Sequence, residues 1–299
     1  MSKLTTKQKV LIGFGIWLLG TIIIAIITGW HRASNNEFKP QNEFKLDSWV
    51  DLGPFSINKA VMYVIIAGLL TMITMTWIAR RMQAKPNRVQ TAVELLFGLM
   101  RDNITRGAMD EQMAAKWFPF IGTIFLFILF SNLIGYIPLP TNTEHTFSFL
   151  GIDFPSFSLY AATANLSIPL AIAFVVFISY TTEGIRKKGF FGYWKSLIPA
   201  GVTGGMAVFI FILEVFSNIM RLMSLSVRLF ANILAGHLII LFMSGGLAVL
   251  LGIAALGWIT LPAGVVLYLF EVGLVAALQA FIFATLTAIY LGGAVAESH

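Results

Sequence analysis

Arg228 stands inside a run from about Val202 to Met243 that contains no proline and consists almost wholly of apolar helix formers. An arginine at the centre of a bilayer-embedded helix costs about 2.5–3.5 kcal/mol on insertion scales, so such a side chain faces protein or water rather than lipid. Its pKa above about 12 keeps it charged at any depth, which suits a fixed cation and not a proton relay. Glu214, Arg221, Asn232 and His237 share the run. At 100° per residue Arg221 falls about 20° and Glu214 and Asn232 about 40° to the same side of Arg228, forming one polar stripe. His237 falls about 180° around the helix. Two polar faces on one helix fit a device in which two aqueous paths reach part-way into a membrane and a fixed positive charge keeps them apart. A carboxylate on a moving partner is drawn to Arg228 as an anion and is blocked there as a neutral ion carrier. Blander roles stand beside this one: Arg221 as a snorkelling charge or headgroup contact, Asn232 and Gln279 as hydrogen-bonding glue between helices. Glu214 as neutraliser of Arg221 is a third, though an i, i+7 gap is long for a direct pair.

The elements that hold these groups must be membrane helices. Of 299 residues, 58% are hydrophobic and 11% charged, against about 25% charged in ordinary globular chains. The Lys and Arg residues behind the net charge of +6 cluster beside apolar runs, an orientation signal rather than a nucleic-acid surface. There is no cysteine, and His31, His145, His237 and His299 show no HExxH-like spacing, so no metal site, haem or other cofactor is expected. Nor is there a GxxxxGK phosphate loop.

Along the chain, Lys3, Lys7 and Lys9 precede an apolar stretch from Val10 to about Thr28, so residues 1–29 read as a signal or a retained signal anchor. Residues 30–57 read as an extracytoplasmic linker and 58–299 as an ion-translocating membrane domain. Spans are predicted near Lys59–Ala79, Phe118–Ile137 and Ala164–Tyr180, with cytoplasmic ends marked by Arg80, Arg81, Lys85 and Arg88 and by Arg186, Lys187 and Lys188. Val89 to Met109 is amphipathic and predicts a helix on the cytoplasmic membrane surface; Pro138 to Leu159 predicts an outer loop. The run carrying Arg228 is predicted to end at Gly245 and Gly246, and a partner helix to start at Pro262 and run to the Gly292-Gly293 pair, carrying Glu271 and Gln279. The fold class is an all-α polytopic membrane protein: upright spans, a surface helix and a C-terminal hairpin of two long, strongly tilted helices.

Ser224-Leu-Ser-Val-Arg228-Leu-Phe-Ala-Asn232-Ile-Leu-Ala-Gly-His237 resembles the signature of subunit a of the rotary F-type ATP synthases. Leu278-Gln279-Ala-Phe-Ile-Phe-Ala-Thr-Leu-Thr-Ala-Ile-Tyr290 is similar to that family's last helix, and Val89-Gln-Thr-Ala-Val-Glu94-Leu-Leu-Phe-Gly to its surface helix. The similarity covers about Asp51 to His299. It implies that Arg228 is the obligatory arginine, with Asn232 one turn on, Glu214 as the earlier acidic residue and Gln279 facing the arginine region. His237 takes a position that is glutamate or histidine in the family, with an acidic partner on the last helix where it is histidine. Glu271 is the candidate partner. It lies eight residues before Gln279, whereas the resemblance implies seven, the place of Val272. That offset turns a side chain by about 100°, so pairing with His237 requires a local bulge. Asn165 matches a polar position near the outer entrance.

The resemblance implies a bacterial inner-membrane stator without a nucleotide site of its own. It would carry protons through two offset half-channels to and from a c-ring, alongside peripheral-stalk b subunits and lipid, with no nucleic acid. Two rival classes are a secondary transporter, which would show repeated halves and broken helices, and a quinone-linked proton-pump subunit, which would spread titratable residues along the spans.

Overall fold

The computed structural model describes residues 46, 48–52, 55–83, 85–149, 152–199, 201–248 and 254–296, with positions 12, 13, 15–17, 19, 20 and 23 of the first apolar segment. Those scattered positions are helical; the signal or anchor reading of residues 1–29 otherwise falls outside the described residues. Five helices among the described residues are long and apolar enough to cross a membrane, so the chain is a polytopic membrane protein whose spans are all α-helical, with two short β-hairpins outside them.

Strands β1 (Ser48–Leu52) and β2 (Phe55–Asn58) form an antiparallel hairpin leading into helix α1 (Lys59–Arg81). Asn58 starts α1 by accepting the Val61 N–H at 3.0 Å, satisfying one of the orphan donors of a first turn. Asn87 likewise caps α2 (Arg88–Gly98) through the Gln90 N–H at 2.8 Å. The amphipathic stretch continues as a π-helix, Leu99–Thr105, and ends in a last turn at Arg106–Ala108. Arg106 joins Asp102 at 3.0 Å to Glu111 at 2.9 Å, tying this surface element to the start of α3 (Glu111–Gly135). The hydrogen bond from Arg101 and the charge of Arg106 hold the Asp102 carboxyl below the usual carboxylate range.

Between α3 and the next span the expected loop is a second hairpin, β3 (Leu139–Phe149) with β4 (Ile152–Ser158). The span α4 (Ser167–Lys188) ends with Arg186, Lys187 and Lys188 in its last turn, where cations complement the helix dipole. Gly189, at φ 77°, then turns the chain into the short helix α5 (Phe190–Lys195). Helix α6 (Gly205–Leu241) carries the polar stripe, and α7 (Ala254–Phe270) and α8 (Ala276–Val295) are joined by a π-helical turn, Glu271–Val275.

The chain divides into two compact units. In the first, residues 46–234 and 274–299, Ala276, Ala280, Ala284 and Ala288 of α8 recur every fourth residue and are fully buried. Small side chains at that interval let helix backbones approach closely, the main route to helix association in lipid. Leu225, Leu229 and Ile233 of α6 join the same cluster as Ile121, Phe125 and Ile128 of α3.

In the other unit, which includes residues 235–273, the end of α6 passes into a π-helical turn, Phe242–Gly246. Gly245, at φ 143°, kinks the helix there without ending it, and helical residues resume at Leu247. The predicted start at Pro262 is corrected: helix α7 already contains residue 254, and Pro262 lies within it. Proline in a helix interior deletes one backbone hydrogen bond, which a flanking apolar sequence of this length outweighs.

The helical segments Gly205–Gly246 and Leu256–Val295 span 42 and 40 residues. At 1.5 Å per residue each is about 60 Å long, twice a hydrocarbon core of about 30 Å. Neither fits upright across it.

Candidate functional site

Helical periodicity and burial sort the surface of α6 into three arcs. Leu225, Leu229 and Ile233 are buried, and His237, on that side, is 4% exposed. Phe209, Leu213, Phe216, Met220 and Val227 form an exposed apolar arc. Glu214, Arg221, Arg228 and Asn232 run along the border between the two.

The charges on this border have different company. Arg221 reaches back two turns to Glu214 at 3.6 Å, and its guanidinium also lies 5.8 Å from the centre of the Tyr290 ring. The direct pair that the i, i+7 gap seemed too long for therefore forms, because an extended arginine spans much of the roughly 10 Å of helix rise. Arg228 is half-buried and touches Ser224 Oγ at 3.5 Å. Among the described residues no carboxylate lies within ion-pair reach of it. Asn232, one turn on, is exposed.

The Glu214–Arg221 pair lines a polar cavity of about 250 Å³ together with Asn218, Tyr180, Lys188 and Tyr290. The Tyr180 and Tyr290 ring centres stand 6.0 Å apart, and the buried Tyr180 hydroxyl has no hydrogen-bond partner among the described residues. Sequence reading had singled out none of Asn218, Tyr180, Lys188 and Tyr290 for this place. Lys188, in the basic run that closes α4, was the available signal.

Glu271 opens the π-helical turn. A π turn absorbs one extra residue, so the eight residues from Glu271 to Gln279 advance the helix as seven would in regular α-helix. The local bulge that the sequence offset called for is therefore present. Glu271 also packs against the residue before His237: a Cβ placed on Gly236 would stand 2.5–2.8 Å from its carboxyl atoms. Gly236 is thus the recess that admits this carboxylate.

Gln279 is 5% exposed, on the buried side of α8. Asn165 is apart from these residues, at the start of α4, where its Oδ1 accepts the Ser167 N–H at 3.0 Å. Two polar residues that sequence reading passed over are fully buried: Asn132 accepts from Thr163 Oγ1 at 2.8 Å and donates to the Ala276 carbonyl at 3.3 Å. Ser131-Asn132 inside the apolar run of α3 was the signal for Asn132. Among the described residues no group of three His, Asp or Glu side chains could hold a metal ion.

A polytopic chain whose long membrane helix carries an arginine with no carboxylate partner among the described residues fits the class of ion-translocating membrane subunits. A family model described as ATP synthase A chain matches residues 61–292, and the chain belongs to that family. It is 33% identical to ATP synthase subunit a of Bradyrhizobium diazoefficiens, over 87% of this chain and 98% of that one. It is also 33% identical to ATP synthase subunit a of Rubrobacter xylanophilus, over 79% and 83%, and to that of Helicobacter acinonychis, over 78% and 88%. As a family member, the chain is a stator component of the ATP synthase membrane sector.

Proposed function

We propose that this chain carries protons through two offset aqueous half-channels to and from a ring of c subunits, and that Arg228 is the fixed charge separating them. The observation that carries this reading is Arg228 itself, half-exposed at the edge of an apolar arc and without a carboxylate partner among the described residues. A buried or membrane-embedded charge left uncompensated is costly. An apolar helix surface bearing a carboxylate would cover the arc and neutralise the arginine together.

The cavity around Glu214 and Arg221 serves the cytoplasmic path. Its wall includes Lys188, in the basic run that marks the cytoplasmic side. Asn232 extends this polar border past Arg228. His237 and Glu271 line the outer path, with Gln279 towards the arginine and Asn165 at the outer entrance. A half-channel must admit water without joining its counterpart, and their distribution over opposite faces of α6 meets that need. Nucleotide chemistry belongs to partner subunits, and peripheral-stalk b subunits hold the stator in a bacterial inner membrane. The amino terminus is cytoplasmic if the first segment is retained.

The test is Arg228→Ala in membranes energised by a pH gradient, reading ATP synthesis and proton flux together. Synthesis is expected to fall to background while gradient-driven leak through the assembled sector persists or rises. Retained coupled synthesis overturns the reading.

A further inference from the structure

Away from the polar stripe, α1, α2 and α3 line a largely apolar, partly open chamber of about 630 Å³, with Glu94 the one carboxylate in its wall. Met75, Ile78, Leu96, Phe97, Leu126 and Phe130 supply much of its wall. Interiors leave few voids larger than a water molecule, and even an apolar cavity of about 150 Å³ takes up small apolar ligands. A chamber this size falls in the range of ligand sites, roughly 300–1,000 Å³.

Directly beside it is a polar pocket of about 140 Å³ lined by Trp77, Arg81, Gln83, Asn87 and Gln90. Ile78, Met82 and Val93 belong to both walls. Gln90 fixes the shape of this mouth by donating to Gln83 O at 2.8 Å and to Glu94 Oε1 at 2.7 Å and by accepting from the Gln83 N–H at 3.2 Å. Arg80, Arg81, Lys85 and Arg88 crowd the same end of α1, all exposed, and none forms an ion pair among the described residues. An apolar slot that opens onto unpaired cations at a membrane surface has the chemistry of an anionic lipid site. The neighbouring α2, with Leu95 72% exposed, is an interfacial helix at the same depth.

We propose that the chamber and its polar mouth bind one anionic phospholipid, an acyl chain lying between α1, α2 and α3 and the phosphate resting on Arg81. A zwitterionic headgroup would bring its own cation against four others. Gly122 offers a direct handle. It lines the chamber, and a Cβ placed there meets nothing within 4 Å, so larger side chains enter the space without clashing.

The experiment uses the intact membrane sector and two photoreactive probes, phosphatidylglycerol and phosphatidylcholine with a diazirine on the acyl chain, with labelled peptides mapped by mass spectrometry. Phosphatidylglycerol is expected to label the α1, α2 and α3 peptides at least fivefold more than phosphatidylcholine. Arg81→Gln is expected to abolish that preference. Across Gly122→Ala, Gly122→Val and Gly122→Leu, labelling by both probes is expected to fall stepwise, more than tenfold at leucine. The graded series keeps the test decisive if the largest variant assembles poorly. Equal labelling by the two lipids, or labelling indifferent to the Gly122 series, overturns the proposal. So does capture of a protein helix by a photoreactive amino acid at Met75.

Discussion

Arg228 and Arg221 lie two turns apart on one border of α6, and only one of them has a carboxylate. Glu214 is committed to Arg221 at 3.6 Å, so among the described residues Arg228 has no carboxylate of its own. Arg228→Lys tests whether charge alone suffices. Lysine is a compact, strongly hydrated cation that sheds its proton when buried, so coupled ATP synthesis is expected to fall more than tenfold although the formal charge is kept. Gly236→Ala probes the other face. The added methyl would displace the Glu271 carboxyl by at least several tenths of an ångström, and proton flux in inverted vesicles is expected to drop about tenfold. Shortening the acid in the double variant Gly236→Ala/Glu271→Asp should recover part of that flux; no recovery would detach Gly236 from the acid. The border itself was legible in the sequence, because 100° steps place Glu214, Arg221, Arg228 and Asn232 together whatever surrounds them. The Glu214–Arg221 contact was not, since backbone rise ignores the reach of an extended arginine. The Asn132–Thr163 bond joins residues 31 apart in sequence, and periodicity carries no information across such a gap.

The π turn at Glu271–Val275 is an element with a sequence cause. One residue too many separates Glu271 from Gln279, and a wider turn takes up the excess at lower cost than rotating every residue of an apolar helix out of its packing. Deleting Val272 is therefore expected to regularise the helix and retain much of the ATP-driven proton pumping. Deleting Val266, in regular helix, is expected to abolish it; fluorescence quenching in inverted vesicles compares the two. Equal loss from both deletions would deny the turn its register role. The spans α1, α3 and α4 follow directly from apolar length and flanking charge. The hairpin β3–β4 does not, because Pro140 and Pro155 read as loop residues. Both occur in a short two-stranded ribbon, where every strand is an edge and a missing donor is tolerated. Pro262 misled for the converse reason: its preference for a first turn is a tendency of helices in water, and lipid forces a helix onward past it.

For the molecule as a whole, apolar exposure is the rule: Phe209, Phe216, Val266, Leu269 and Leu274 are all about half-exposed or more. Lipid accounts for such surface in general, but not for an arginine at its edge. An orphan copy, inserted before its neighbours arrive, holds that arginine in hydrocarbon or in a bilayer thinned around it, at about 2.5–3.5 kcal/mol. If Arg228 serves ion transfer as proposed, the same side chain is expected to mark the unassembled subunit as defective to the cell's membrane proteases. Pulse-chase labelling in cells lacking the c subunit is expected to show rapid turnover of the native chain and a severalfold longer lifetime for Arg228→Leu. Equal lifetimes would mean that the unassembled helix hides its charge. Degradation tied to an unsatisfied cation would match the abundance of the stator to the supply of its rotor, without any dedicated regulator.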